Sequence, residues 1–446
     1  MSEHEIATKS AVQLNDEMLS SNRTPTWRWY WLAFILGAIV AWGTAAFTYQ
    51  MMTDMSVTGL DRPVMWGLYI ANFVFWVGLS HSGTMVSAIL RLSQANWRRP
   101  ILRAAEAMTV FSITVAGLFP IIHLGRNWVV YFFIPYPNQR GIWPNFRSAL
   151  LWDATAITTY IIGSSLFLYL GMLPDLAVVR DRSTGWKKKV YAVLAMGWRG
   201  TAREWVIFRQ ASTLMAALII PVAVSVHSIV AWDFAVTIIP GWHSTIFPPY
   251  FVAGAIYSGF AMVLVLAIPL RAMYGLEDLI TMRHLDNMAK VMLATGEIVA
   301  YSYVFEAFIA WYSGNPYEMF AMWNRMTGPY APTYWLLIFC NLVFPQLLWW
   351  KKIRTNIVWL FVMSLDVLLG MWLERYVIIV VSLSRDYVPS AWGYYWPTIW
   401  DVATYVGTIG LFFFLFFLFI RSMPMISIFE VRTLLPQAEV TEGVEK

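Results

Sequence analysis

Cysteine is almost absent from this 446-residue chain: a single one, Cys340, lies in the apolar run FCNLVF. One cysteine cannot build a CxxC or CxxCH pair, so covalent c-type haem and a self-held iron–sulfur cluster are excluded. Cys340 itself reads as a small core residue. Charge is scarce too. Only 13% of residues are charged and 59% are hydrophobic, whereas soluble globular domains carry roughly 25% and 45–50%. The soluble globular class is thereby excluded. The opening stretch MSEHEIATKSAVQLNDEMLSSNRTPT has four acidic residues and no short apolar core, so it is not expected to be a cleaved secretory signal. The first apolar span is expected to remain as an anchor.

What the chain does have is apolar length. Crossing the hydrocarbon takes about 20 residues of helix, and about ten such spans are legible, at 28–51, 64–91, 103–124, 148–173, 211–238, 250–272, 289–312, 333–350, 356–381 and 398–421. The runs are continuous rather than alternating, which predicts helices and not a barrel. The expected fold is therefore an all-α polytopic membrane protein. Setting aside the first span (28–51) and the last (398–421) leaves eight, divisible into two four-helix bundles over 64–238 and 250–381. Segments 1–27 and 422–446 are polar ends.

Of the 31 Lys and Arg, 24 fall at the N-terminus and near 91–103, 180–209, 271–290, 351–354 and 421–446; the other seven are Arg62, Arg126, Arg140, Arg147, Arg325, Arg375 and Arg385. This asymmetry puts the basic side, with both termini, in the cytoplasm of a bacterial inner membrane. The net charge of +5 is then topology, with no nucleic acid implied. The basic connection Arg180–Gln210 mixes Trp, Leu and Val with Lys and Arg, as expected of helices lying on the membrane surface or of a partner-docking segment. The long outer connections are 124–147 and 313–332. Within the first, Pro135, Pro137 and Pro144 forbid regular helix in YFFIPYPNQRGIWPNF.

Ionisable groups inside a bilayer cost several kcal/mol unless paired, wetted or used, so each marks a candidate site. His123, Asp153, His227 and Asp233 fall at one expected depth, near the outer ends of three consecutive spans. Arg126 and Arg147 flank them, and Pro120 loosens the helix ahead of His123. His227 and Asp233 are separated by about 9 Å of rise and a turn of about 240°, so they need not face one point. Quinol chemistry needs this residue mix: a dihydroxy ring takes a hydrogen-bond partner at each oxygen and loses two protons on oxidation, which a His and a carboxylate can accept. Metal ligation is not expected. The alternative is that these groups are interfacial residues near water.

His81, in GLSHSGTMVSAIL, is expected deeper, towards the cytoplasmic half, among Ser80, Ser82, Gly83, Thr84 and Ser87. Both a proton-path step and a structural histidine fit that setting. Bis-histidine b-type haem needs two histidines at matched depth, which leaves His123 with His227. A later polar series comprises Glu297, Glu306, Asp366, Glu374, Arg375 and Asp401. Glu297 and Glu306 are about 180° apart on their helix, whereas Asp366 and Glu374 lie within about 80°. A half-channel for protons and structural pairing with Arg325, Arg375 or Arg385 are both open readings.

Four segments together carry a family resemblance: PVMWGLYIANFVFWVGLSHSGTMVSAILRL, HLGR, WPNFRSALLWD and GWRGTAREW. They resemble the NrfD/PsrC-like (polysulfide-reductase-type) integral membrane subunits, with the nearest likeness to the larger, ActC-type subunit of bacterial alternative complex III. The resemblance covers spans two to five by motif and the rest by span count. It implies a quinone site at the outer side of the first bundle, with His123 and Asp153 as quinol ligands and Arg126, His227 and Asp233 around them. It further implies menaquinone or menaquinol as substrate, and no haem or iron–sulfur cluster in this chain. The implied partners are an extracytoplasmic iron–sulfur subunit, c-type haem subunits, a second NrfD-like membrane subunit and lipids. Two other functions stay open: a quinone-reducing membrane subunit of a molybdopterin-type oxidoreductase, and a proton-coupled transporter.

Overall fold

The computed structural model describes residues 27–134 and 146–432. The proline-rich stretch 135–145 and most of the two polar ends lie outside the described residues. Among those described there is no strand, and ten helices are long and apolar enough to span a membrane. They are α1 (Trp27–Thr53), α2 (Gly67–Leu92), α3 (Leu102–His123), α4 (Ala149–Arg182), α6 (Ala202–Ala235), α7 (Phe247–Tyr274), α8 (Met282–Tyr312), α10 (Ala331–Trp349), α11 (Ile357–Ser384) and α12 (Ile399–Ser422). Shorter helices include α5 (Gly185–Leu194), α9 (Pro316–Thr327) and α13 (Ile428–Arg432).

Helices α2, α3, α4 and α6 pack around one another, and α7, α8, α10 and α11 form a second group. The groups meet where α2 contacts α7 and α11 and where α6 contacts α7, while α1 pairs with α12 along the flank. The two most enclosed spans, α2 and α7, touch through small residues. A Cβ on Gly259 would sit 1.7 Å from Ser82 Oγ, and one on Gly83 would sit 2.1 Å from the Ala105 carbonyl oxygen of α3. Lipid tails give helices no hydrophobic reason to associate, so close backbone packing of this kind supplies the attraction. The hydroxyls exposed by it are satisfied locally: Ser80 and Ser82 donate to the Val77 and Leu79 carbonyls at 2.7 and 2.6 Å.

Spans four and five overrun their expected limits of 148–173 and 211–238. At 34 residues each, α4 and α6 reach about 51 Å, well beyond the roughly 30 Å hydrocarbon. The early start of α6 is set by a capping box: Thr201 Oγ1 accepts the Glu204 N–H at 3.3 Å, and Glu204 accepts the Thr201 N–H at 2.8 Å. Only α5 remains of the expected surface helices over 180–210. It is tied down at its C-terminal end, where Tyr169 donates to the Leu194 carbonyl and Tyr191 to that of Ser422 at 2.5 and 2.7 Å.

Short α13 seats against the first group at its basic end. Asp175 of α4, fully buried, pairs with Arg103 at 2.8 Å and accepts the N–H groups of Ile428 and Phe429 at 3.1 and 3.2 Å. Glu430 meets Arg91, Arg98 and Arg99 at 3.5, 3.3 and 3.9 Å.

Two spans contain single π turns, Phe339–Val343 in α10 and Val377–Val381 in α11. Such turns free backbone groups, which neighbouring helices must satisfy. Here the Trp242 indole N–H donates to the Ile378 carbonyl.

Candidate functional site

His123 ends α3, Asp153 lies in the first turns of α4, and Asp233 lies in the last turn of α6. The adjacency of α4 and α6 brings the carboxyl groups of Asp153 and Asp233 within hydrogen-bonding reach. The Oδ1 of each is buried and has no hydrogen-bond partner among the described residues. The 240° turn separates the neighbours as the spacing predicts: Asp233 addresses Asp153 on the next helix, and His227 points elsewhere.

His123 sits beside Tyr69, ring centroids 5.9 Å apart, with Nδ1 buried and unpartnered among the described residues. The Tyr69 hydroxyl donates to Gln50 Oε1 at 2.9 Å, and Gln50 Nε2 donates to the Ile122 carbonyl at 3.2 Å. Gln50 of α1 thus fixes Tyr69 and the last turn of α3 together. Arg126 is exposed, just beyond His123.

His227 departs from its expected company. Its ring centroid lies 5.0 Å from that of His81, whose expected position is deeper and in the other half. Residue counting along separate spans assumes upright helices, and α2 and α6 bring the two positions level. A His123–His227 pair for a haem therefore does not describe the geometry, because His227 is packed against His81 and Phe251. His81 stacks on Tyr160 with centroids 4.2 Å apart, and its Nδ1 meets the Val77 carbonyl at 2.6 Å. A carbonyl can only accept, so Nδ1 carries the proton and Nε2 is the free acceptor. His81 Nε2 and both His227 nitrogens lack partners among the described residues. The Tyr160 hydroxyl, donating to the Ser80 carbonyl at 3.0 Å, lies by Thr84 and Thr109.

The later series divides in the second helix group. Adjacent Glu374 and Arg375 touch one another. Tyr303 of α8 donates to Glu374, and Asn341 of α10 donates to the Tyr303 hydroxyl at 2.7 Å. The Arg375 guanidinium lies 4.3 Å from the centre of the Phe251 ring, which separates it from His227. Asp366 faces Cys340, and Tyr257 stands within electrostatic reach of both and of Glu297. Glu306 pairs with Arg325 at 2.7 Å beside a 180 Å³ cavity that Glu318 and His243 also line. Asp401 acts locally, capping α12 through the Thr398 N–H at 2.7 Å and holding the Gly59 N–H at 2.8 Å.

Tyr69, Gln50, Tyr160, Tyr303 and Asn341 are the members that sequence reasoning misses. Asn341 carries a signal, as a lone amide within an apolar span. The tyrosines do not, since tyrosine also serves as an interfacial anchor.

A family model described as "Polysulphide reductase, NrfD" matches residues 56–385. A Halobacterium salinarum protein named as a membrane subunit of dimethyl sulfoxide reductase is 30% identical over 242 residues, 53% of this chain and 51% of that protein. A selenate reductase subunit of Mesobacillus selenatarsenatis is 22% identical over 239 residues, 52% and 54% of the two chains. The Hdr-like menaquinol oxidoreductase integral membrane subunit of Archaeoglobus fulgidus is 23% identical over 241 residues, 53% and 50%. The chain spans about half the length of the curated relatives it matches.

Proposed function

Since the chain belongs to the NrfD family of membrane subunits, we propose that it binds and oxidises menaquinol within a multi-subunit electron-transfer complex of the alternative complex III type, in a bacterial inner membrane. Two observations support the reading: Asp153 and Asp233 come together between α4 and α6, and His123 at the end of α3 has a buried, unpartnered ring nitrogen. Oxidation of a quinol releases two electrons and two protons. His123 accepts one proton and Asp153, with Asp233 beside it, accepts the other. Tyr69 and Gln50 hold the histidine edge in position. The electrons leave to an iron–sulfur cluster of an extracytoplasmic partner subunit, then to c-type haem subunits, with a second NrfD-like subunit alongside. The name of the Archaeoglobus relative supports menaquinol.

Positioned proton acceptors contribute about 10²–10⁴-fold to a rate. His123→Ala and Asp153→Asn, each in the assembled complex, are expected to lower menaquinol oxidation by that order. Normal turnover in both would overturn the site. A reduction-directed reading, as the membrane subunit of a molybdopterin-type enzyme, draws on the names of the two reductase relatives. Purification of the native complex separates the two: c-type haem partners support the oxidase, and a molybdopterin partner supports the reductase.

Proton translocation is the second part of the reading. Its observation is the run of buried groups from His81 and His227 through Arg375, Glu374, Tyr303 and Asn341 to the Asp366 region. Glu374→Gln in proteoliposomes is expected to lower protons moved per quinol while turnover continues. An unchanged ratio would remove Glu374 from the path.

A further inference from the structure

The 180 Å³ cavity lies where α8 ends, between α9 and the connection from α6 to α7. Its wall includes the polar side chains of Glu306, Arg325, His243, Ser313, Asn315 and Glu318. A buried water takes about 10–15 Å³ and two to four polar partners, so there is room for several. Ser313 and Asn315 are exposed, so the space opens at the surface. Glu318 accepts the Gly241 N–H at 2.9 Å and stands within electrostatic reach of Glu306, Arg325 and His243. Arg325 is 3% exposed and donates to Glu306, the Gly241 carbonyl and Ser382 Oγ at 2.7, 3.1 and 3.3 Å. Its Nε is buried with no partner among the described residues, a donor left for water.

Two tyrosine hydroxyls lead from this cavity into the second helix group. The single proton of the Tyr303 hydroxyl goes to Glu374, and its oxygen accepts from Asn341, so towards Tyr250 it can only accept. Tyr250 of α7 is buried, its ring centroid 5.7 Å from that of Tyr303 and its hydroxyl within hydrogen-bonding reach. Tyr250 is also within electrostatic reach of Glu306 and Arg325. Glu306 follows Tyr303 by three residues on α8, which puts both on one face of the helix. A hydroxyl relays a proton by taking one on its oxygen while giving up its own, so Tyr250 and Tyr303 stay neutral as one proton passes. We propose that Glu306, Tyr250 and Tyr303 exchange protons between Glu374 and water in the cavity. The cavity is then the mouth of the proton path, at the end of the fold that carries Asp153 and Asp233. Arg325 is a positioning residue that holds Glu306 at the cavity wall. The inference rests on the proton-translocation reading of Glu374 and adds its access to water.

The test places the intact complex in liposomes and measures protons moved per quinol together with turnover. Glu374→Gln, Glu306→Gln and Tyr250→Phe are each expected to bring the ratio down towards the two protons that the quinol itself releases, while turnover continues. Tyr250→Phe combined with Glu374→Gln is expected to fall no lower than Glu374→Gln alone, as two steps of one path do. Where Glu306→Gln does not assemble because Arg325 loses its partner, Tyr250→Phe decides, since it removes one oxygen and keeps the ring. A ratio lowered by Glu374→Gln but unchanged by Tyr250→Phe would overturn the inference and leave the translocation reading standing. A ratio unchanged in Glu374→Gln would remove that reading, and the inference with it. Access of water is read separately, by mass spectrometry of this chain after treatment of the complex with a charged, membrane-impermeant thiol reagent. Ala310→Cys, on the cavity wall, is expected to react, whereas the native Cys340, 1% exposed, is not. No reaction at position 310 would overturn the inference.

Discussion

Breaking the Arg103–Asp175 pair should be one of the more damaging single changes available at the basic end of the protein. The two side chains are 1% and 0% exposed and meet at 2.8 Å. Removing one partner of such a pair costs about 3–5 kcal/mol, because the other charge stays buried. In Arg103→Met, Asp175 keeps Ser427 Oγ at 3.3 Å and the Ile428 and Phe429 N–H groups at 3.1 and 3.2 Å. That residual solvation argues for the lower end, about 3 kcal/mol. In Asp175→Asn, Arg103 keeps the Gly171 carbonyl at 3.0 Å and Ser427 at 3.3 Å, so the loss is again about 3 kcal/mol. The double variant has no stranded charge, and it should lie close to either single one. The coupling energy is then about 2–3 kcal/mol. Equilibrium unfolding in mixed micelles measures all four corners, and hydrogen exchange over 423–432 reports whether α13 lifts. Coupling below about 0.5 kcal/mol would refute the claim that the pair acts as a unit.

Thr201→Ala should cost about 1 kcal/mol, the usual worth of an N-cap, with faster hydrogen exchange confined to the first turns of α6. Protection left unchanged there would mean that packing, not the cap, starts the helix. Gly83→Ala drives a methyl to within 2.1 Å of the Ala105 carbonyl oxygen; overpacking of this kind costs about 1–3 kcal/mol, read as lowered thermal stability. Glu318, outside the spans, has its carboxyl pushed above the ordinary range by burial, opposed by the Gly241 N–H it accepts. The folded state therefore holds that proton more tightly than the unfolded one, so its contribution is complete below the unfolded value and is lost as pH rises through the folded value. Stability of the wild type should fall across the window just above pH 4.5, and the slope should flatten in Glu318→Gln. Identical slopes in the two would dismiss the assignment.

Span number and the all-helical class were legible because apolar length is a property of composition, indifferent to how helices tilt. Span ends were not. The box TARE at 201–204 is present in the sequence, yet the basic residues around it read as surface helix, and α6 in fact starts there. Relative depth failed for His81, because counting from span ends ignores tilt and offset between α2 and α6. The partner of Asp153 was within reach of the sequence, since rotation separates His227 from Asp233, but rotation alone does not say which helix stands opposite. Tyr303 and Asn341 were hidden for another reason. Their importance lies in a contact between α8 and α10 that no single-span periodicity encodes.

Each π turn winds one residue more into its turn than an α-helix does. A relative with one residue deleted at Phe339–Val343 would wind this turn as ordinary α-helix and leave the flanking parts of the span nearly unrotated, so the change falls on the residues within the turn itself. Asn341, which touches Tyr303 at 2.7 Å and packs against Gly370, would lose one contact or the other. A one-residue gap at this position in an alignment is therefore a change of wiring rather than of length. The same holds for Val377–Val381, three residues after Glu374. Insertions and deletions at these two turns sort descendants of this fold more sharply than substitutions in the loops around them.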